Sequence, residues 1–133
     1  MGNKTKILLV DIDADLLESI TAVLQKHNYE VLTAADTREA MNIVRFEQPK
    51  LIVLELMLEK HDSGFSFTKT IKADPIYKKI PLFMLTAVAE KTGYSFSQEL
   101  DGYWMKTDDY AEKPIAPEEL LKRIEKLLAN KNS

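Results

Sequence analysis

Short apolar runs alternate with segments of helical periodicity along the whole chain. Three of the runs, 6–10, 51–54 and 80–85, consist mostly of apolar residues. The other two, 29–33 and 109–112, contain fewer apolar residues but are bounded by turn residues. A continuous apolar run of four to six residues, bounded by turn residues, is typical of a strand buried on both faces. We predict strands at 6–10, 29–33, 51–54, 80–85 and 109–112.

The segments between these strands carry apolar residues at helical spacing. The first helix is expected to run through Leu16 and end near His27, with Asp13 or Asp15 available as its N-cap. In the second, Asp36 followed by Glu39 forms a capping box with Asp in the Ser/Thr position. The pattern therefore predicts helices that begin with their own capping residues.

Two further helices are predicted in the second half of the chain. One begins at Gly64 and ends before Asp74, which is followed by a proline. The last begins at Pro117, with Glu118 and Glu119 in the first turn, where acidic side chains interact favourably with the helix dipole.

Five strand–helix units with apolar strands predict a parallel sheet covered by helices on both faces. At this size the expected fold is a flavodoxin-like (βα)5 doubly wound α/β sheet with strand order 2-1-3-4-5. Residues 1–133 are expected to form a single domain. The irregular stretch is 86–108, whose aromatics either anchor a long loop by local packing or contribute to a partner interface: Tyr94, Phe96, Tyr103 and Trp104.

Composition narrows the classes of function. The chain has 133 residues, 45% of them hydrophobic and 29% charged, as in an ordinary globular domain. It has no cysteine, which excludes disulfides and thiolate metal sites, and a net charge of −3 argues against nucleic acid as the main partner. No apolar run approaches the roughly 20 residues of a membrane span. We therefore expect a cytoplasmic protein with no membrane partner.

Chemistry is concentrated at the exits of the predicted strands. In a 2-1-3-4-5 sheet, ligands bind outside the carboxyl ends of the strands, where four side chains should converge. They are Asp11, Glu55, Thr86 and Lys113. Carboxylates bind a hard cation, whereas a hydroxyl and an ammonium contact phosphate oxygens. The sequence therefore predicts a pocket for a phosphoryl group and a cation.

With these residues in this order, the chain resembles the receiver domain of two-component response regulators, the chemotaxis-regulator fold. The resemblance covers essentially the whole chain. It rests on five short motifs that occur in the same order as in the family, although each motif alone would be weak. The matching stretches are 6–11, 51–58, 62–65, 81–87 and 108–114.

The resemblance implies roles for individual residues. Thr86 would supply the hydroxyl that follows the phosphoryl group, and Lys113, joined to Pro114 by a cis peptide, the ammonium beside it. Met57 would offer a backbone carbonyl to the metal, together with the carboxylates at the strand exits. Tyr110 would be the switch aromatic, although it could equally be an ordinary surface aromatic beside the fifth strand.

Three departures from the family pattern bear on this chemistry. The phosphoryl acceptor of the family is an aspartate, and Glu55 stands at that position. The first strand of the family usually ends in two adjacent acids, but here Asp11 is followed by Ile12; Asp13 lies one residue further on and is also a candidate helix cap. The loop 56–64 and the segment after the fourth strand are longer than usual.

Loss of one metal-binding carboxylate and lengthening of the other should weaken Mg²⁺ binding. Phosphorylation also needs an in-line approach of the carboxylate to phosphorus, so both requirements fail together. We therefore expect a stand-alone pseudo-receiver, with no cofactor or only weak Mg²⁺ at Asp11, Glu55 and Met57. Glu55 would either pair with Lys113 in a structural role or partly imitate a phosphorylated aspartate.

Partners are expected to be signalling proteins, such as a histidine kinase or a downstream effector. They would bind along the fourth helix, fifth strand and fifth helix of the receiver fold, the fifth being the helix that begins at Pro117, and a homodimer through the same face is a further possibility. One alternative is a conventional Mg²⁺-dependent receiver that tolerates Glu55. Another is a small α/β enzyme that uses Asp11, Glu55 and Lys113 as acid–base groups. Against this hypothesis, the sequence contains no phosphate-binding glycine motif.

Overall fold

A five-stranded parallel sheet in the order β2-β1-β3-β4-β5 forms the centre of the structure, which confirms the predicted topology. The computed structural model describes residues 4–60, 62–87 and 107–132. The strands are β1 Lys6–Val10, β2 Glu30–Ala34, β3 Leu51–Leu54, β4 Leu82–Thr86 and β5 Asp109–Glu112.

Four helices lie in the described part of the chain: α1 Ala14–Lys26, α2 Thr37–Glu47, α3 Ser63–Ala73 and α4 Pro117–Asn132. Asp13 caps α1 by accepting a hydrogen bond from the amide of Leu16. Asp36 caps α2 by accepting from the amide of Glu39. The Glu39 carboxylate accepts from Ala35 rather than from Asp36, so the predicted capping box is displaced by one residue.

Two strands differ in their bounds from the prediction. β4 spans Leu82–Thr86 rather than 80–85, because Pro81 has no N–H to contribute and the pairing with β3 begins at Leu82. β2 lies one residue later than predicted, since Ala34 still pairs with Val10 of β1. The other three strands match the predicted ranges.

Side chains alternate between the two faces of the sheet and form a hydrophobic core on each. One core lies under α2 and α3, where Val44, Phe67 and Ile71 are buried against alternate strand residues. The other lies under α1 and α4, where Leu24 and Ile124 are buried. Each fully buried large apolar side chain contributes roughly 1.5–3 kcal/mol. The two cores fix the position of the sheet, and with it the carboxyl ends of the strands, where the polar residues lie.

The last strand is fastened to α4 by Arg123. The guanidinium donates to both carboxylate oxygens of Asp109, at 3.0 and 2.6 Å, and to the carbonyl of Tyr110 at 2.8 Å. It also lies 5.1 Å from the centre of the Phe83 ring, within the range of a cation–π contact. These contacts fix the backbone of β5 just before Lys113.

Some expectations fall outside the described residues. They concern the aromatics Tyr94, Phe96, Tyr103 and Trp104, and the helix between β4 and β5 that the resemblance implies as part of the partner face. None of the described helices is long and apolar enough to cross a membrane.

Candidate functional site

The four predicted site residues meet at the carboxyl edge of the sheet. Val10 pairs with Leu54, so Asp11 and Glu55 leave their strands at the same level. Thr86 pairs with Glu112, the residue before Lys113, and the amide of Lys113 donates to the carbonyl of Thr86 at 2.8 Å. The register of the parallel strands is therefore sufficient to bring the two carboxylates, the hydroxyl and the ammonium together.

Lys113 lies at the centre of the polar cluster. Its Nζ atom is 2.7 Å from Oδ2 of Asp11 and 2.9 Å from Oε1 of Glu55, and its side chain is only 13% exposed. The expected contact between Glu55 and Lys113 is thus confirmed, and Asp11 is a second partner. The Lys113–Pro114 peptide is cis, as the resemblance implied.

The charge of Lys113 is maintained by these two carboxylates. Burial alone would lower the pKa of the ammonium, but the hydrogen bonds to Asp11 and Glu55 and their negative charges outweigh it and raise the pKa. A raised pKa keeps Lys113 protonated at neutral pH. The group therefore acts as a fixed positive charge in the site.

The carboxylate of Glu55 is 2% exposed and receives four donors. Oε1 accepts from the Lys113 ammonium at 2.9 Å and from the amide of Ala87 at 3.4 Å. Oε2 accepts from the hydroxyl of Thr86 and, at 3.2 Å, from the amide of Met57. A carboxylate offers about four lone-pair sites, so its accepting capacity is filled from within the protein.

Asp11 and its neighbours are also engaged. Oδ1 of Asp11 accepts from the amide of Asp13 at 3.0 Å, and Oδ2 binds Lys113. Ile12 is 55% exposed and offers no oxygen from its side chain. The carboxylate of Asp13 accepts from the amide of Leu16 at 3.1 Å. Asp13 is thus used as the helix cap and does not replace the missing second acid.

The residues present do not fit Mg²⁺, which prefers near-octahedral oxygen coordination through one or two carboxylates. Of the three predicted ligands, Asp11 and Glu55 both bind the Lys113 ammonium, and the backbone carbonyl of Met57 alone cannot hold the ion.

Gly64 supports the site in a way that the sequence did not reveal. A Cβ atom at this position would lie 2.5 Å from the carbonyl oxygen of Glu55 and 2.6 Å from Cα of Leu56. The amide of Gly64 also donates to the carbonyl of Leu56 at 2.7 Å. The first turn of α3 therefore packs directly against the backbone that carries Glu55. In the sequence, Gly64 was identified only as the predicted start of this helix and as part of the matching stretch 62–65, and glycine is a poor helix former.

Glu59 is a second residue that was not predicted. Its carboxylate accepts from the amide of Thr37 at 3.1 Å and from the hydroxyl of the same residue. Burial would raise the pKa of Glu59, but the hydrogen bonds from Thr37, its own backbone amide and Ser63 together lower it. Glu59 thereby ties the longer loop after β3 to the first turn of α2.

Tyr110, the predicted switch aromatic, lies on β5 with an exposed side chain. Its carbonyl accepts from Arg123, and its amide donates to Asp109. The switch role of Tyr110 stays a prediction.

Two of the solved structures that resemble this one are response regulators. A putative response regulator from Chloroflexus aurantiacus superposes with a TM-score of 0.81 at 31% identity, covering 96% of this chain and 99% of that one. The chemotaxis response regulator CheY4 of Vibrio cholerae superposes with a TM-score of 0.76 at 30% identity, covering 94% and 99%.

Curated relatives of similar sequence are transcriptional regulators, and they are longer than this chain. The probable transcriptional regulator ycf27 of Cyanophora paradoxa is 36% identical over 95% of this chain and 49% of the relative. The phosphate regulon transcriptional regulatory protein PhoB of Pseudomonas aeruginosa is 35% identical over 96% and 53%. The chain thus spans about half the length of these relatives. Residues 7–125 match the family of the response regulator receiver domain, and the chain belongs to that family.

Proposed function

We propose that this receiver domain of two-component signalling acts as a pseudo-receiver, through protein contacts and without ordinary aspartyl phosphorylation. The observation that carries the proposal is the state of Glu55. The residue at the acceptor position is buried, and both of its carboxylate oxygens accept hydrogen bonds from within the protein.

Phosphoryl transfer would require a carboxylate oxygen to approach phosphorus in line. For Glu55 this means giving up either the Lys113 and Ala87 donors of Oε1 or the Thr86 and Met57 donors of Oε2. Those donors are also the groups that would stabilise the incoming phosphoryl oxygens. Glu55 therefore competes with the phosphoryl group for the same partners.

The electrostatics of the site point the same way. A phosphoryl group brings negative charge to a site that already holds the carboxylates of Asp11 and Glu55 against the single ammonium of Lys113. In phosphoryl transfer a metal ion neutralises such charge. Since the donor set does not fit Mg²⁺, the site has no adequate counter-charge for a phosphorylated product.

The expected partners are a histidine kinase or a downstream effector that reads the surface around β5 and α4. Arg123 holds the backbone of β5 in place, and Tyr110 presents an exposed aromatic side chain there. Exposed aromatics are common hot spots of protein interfaces. Homodimerisation through the same face is part of this proposal, and light scattering at increasing protein concentration would detect it.

We confine the expectation of no nucleic-acid partner to this segment, whose net charge is −3. The relatives named as transcriptional regulators are about twice as long.

The alternative of an acid–base enzyme receives little support from the site. A catalytic lysine base needs a pKa lowered toward neutrality, but the pKa of Lys113 is raised. The relatives are named as regulators rather than enzymes.

The proposal is tested by incubating the protein with acetyl phosphate and Mg²⁺ and recording the intact mass. We expect no phosphoryl adduct on the native chain. A receiver domain of the family with an aspartate at the acceptor position and two adjacent acids after its first strand is the control that shows the reagent is active. An adduct on native Glu55 would support the conventional receiver instead.

A further inference from the structure

A groove of about 890 Å³ lies at the edge of the sheet opposite Glu55. Its lining includes the residues that directly precede the first four strands: Thr5, Tyr29, Lys50 and Pro81. Because the strands are parallel, this amino-end groove is separated from the polar site by the length of the sheet. Its volume is in the range of pockets that hold small organic ligands.

The walls of the amino-end groove combine apolar and aromatic side chains with polar ones, and their exposed area is slightly more apolar than polar. Ile76 is 76% exposed and is one of the most exposed large apolar side chains in the described structure. Tyr77 and Leu128 are half-buried and also line the groove. Such a surface favours a ligand with an apolar body, because covering it removes apolar area from water.

The charged side chains that line the groove are two lysines, in contrast to the negative net charge of the chain. Lys50 and Lys79 line it, both are exposed, and neither forms an ion pair with another described residue. None of the residues known to line it is acidic. Burial, and secondarily the charge of nearby Glu125, raise the pKa of Tyr29, so its hydroxyl stays protonated as a hydrogen-bond donor.

We propose that the amino-end groove binds an amphipathic organic anion, a molecule with an aromatic or aliphatic body and one carboxylate or sulfonate group. The body would cover Ile76, Tyr77 and Leu128, and the acid group would be bound by Lys50 and Lys79. This binding site does not depend on the function proposed for Glu55, because the two sites lie at opposite edges of the sheet.

A matched pair of fluorescent probes tests the proposal. 8-Anilinonaphthalene-1-sulfonate has the required body and charge, and N-phenyl-1-naphthylamine has the same ring system without the sulfonate. We expect saturable binding of one sulfonate probe per chain, tighter than that of the neutral probe. Amide chemical shifts should change at Thr5, Lys50 and Lys79 but not at Asp11 or Thr86.

Two double variants distinguish binding of the probe in the groove from nonspecific attraction of its negative charge to surface lysines. The double variant Lys50→Gln/Lys79→Gln should lower affinity for the sulfonate probe about tenfold and leave the neutral probe unchanged. The control Lys69→Gln/Lys122→Gln removes the same charge at exposed lysines outside the groove. Equal losses in both double variants, absence of saturable binding, or shifts at the Glu55 edge would each overturn the proposal.

Discussion

The ammonium of Lys113 lies 2.9 Å from Oε1 of Glu55, inside a site that excludes most solvent. A buried ion pair of this kind is weak evidence of net stability, because both charges lose their hydration. Removing one partner is nevertheless costly, since the other is left buried without a counter-charge. Under the proposed pseudo-receiver function, this relationship would keep the frame of the receiver pocket in place without phosphoryl chemistry.

The substitution Glu55→Gln should lower the free energy of unfolding by roughly 1–3 kcal/mol. It keeps the shape of the side chain but removes the charge that faces Lys113, which would retain only Asp11 as a charged partner. Urea denaturation measures the change. Glu18→Gln, at an exposed position in the middle of α1, is the matched control and should be close to neutral. Equal stability of Glu55→Gln and the native chain would contradict the account.

The pH dependence of stability should carry the signature of Lys113. Because its pKa is raised above the ordinary 10.5, its contribution is fully present below that pH. The contribution is lost as the pH rises through the folded-state pKa. The stability difference between the native chain and Lys113→Gln should therefore be constant near neutrality and shrink only in strong alkali. Denaturation series at fixed ionic strength measure this stability difference. If it shrinks already between pH 7 and pH 9, the pKa of Lys113 is not raised and the account is contradicted.

Gly64→Ala should be destabilising by roughly 1–3 kcal/mol, although alanine is the better helix former. The new Cβ atom would be placed 2.5 Å from the carbonyl oxygen of Glu55, which is backbone and cannot move aside cheaply. Lys69→Ala, at an exposed site of the same helix, is the control for helix propensity. Amide chemical shifts of Glu55 and Leu56 should change in Gly64→Ala only. An unchanged or increased unfolding midpoint would show that the packing is looser than described.

Thr68→Val should stabilise the fold by about 1 kcal/mol. Within the described residues, the hydroxyl of Thr68 is buried and has no hydrogen-bond partner, so valine removes an unpaired polar group at similar volume. Thr70→Val is a useful comparison, since the hydroxyl of Thr70 donates to the carbonyl of Ser66 on the exposed side of α3. Thermal unfolding should rank Thr68→Val above the native chain; a loss of stability would indicate a partner for that hydroxyl.

Much of the site could be predicted because strand exits are set by sequence pattern. Asp11, Glu55 and Lys113 each follow an apolar or recognisable strand, and parallel strands place their exits at one edge. The contact between Glu55 and Lys113 follows from their charges and this geometry. The amide donors of Met57 and Ala87 could not be foreseen, because they depend on side-chain torsions and on the local path of two loops.

The interactions that were missed join residues far apart in the sequence. Glu59 and Thr37 are 22 positions apart, and no local pattern indicates which acid binds the first turn of α2. The close packing of Gly64 on Glu55 likewise depends on how α3 lies against β3. The bounds of β2 and β4 shifted for a related reason, since pairing with neighbouring strands extends or shortens a strand beyond its apolar run.

Reversal of two of the three departures from the family, Glu55 and Ile12, should restore metal binding if they are the main obstacles. In Ile12→Asp/Glu55→Asp, the shorter acid at position 55 would leave Lys113 and Thr86 free to act on a ligand, and the new acid beside Asp11 would supply oxygen atoms for Mg²⁺. Calorimetric titration with Mg²⁺ should then detect binding that the native chain lacks. Absence of binding in the double variant would show that the longer loops also alter the pocket.

The most direct test of the central claim is a titration of the native chain with beryllofluoride and Mg²⁺, followed through amide chemical shifts. Because the Glu55 carboxylate already binds Thr86, Ala87 and Lys113, we predict no saturable change at those positions or at Asp11. Tight, Mg²⁺-dependent and saturable shifts at Asp11, Thr86 and Lys113 would contradict the account and identify the protein as a working phospho-accepting receiver.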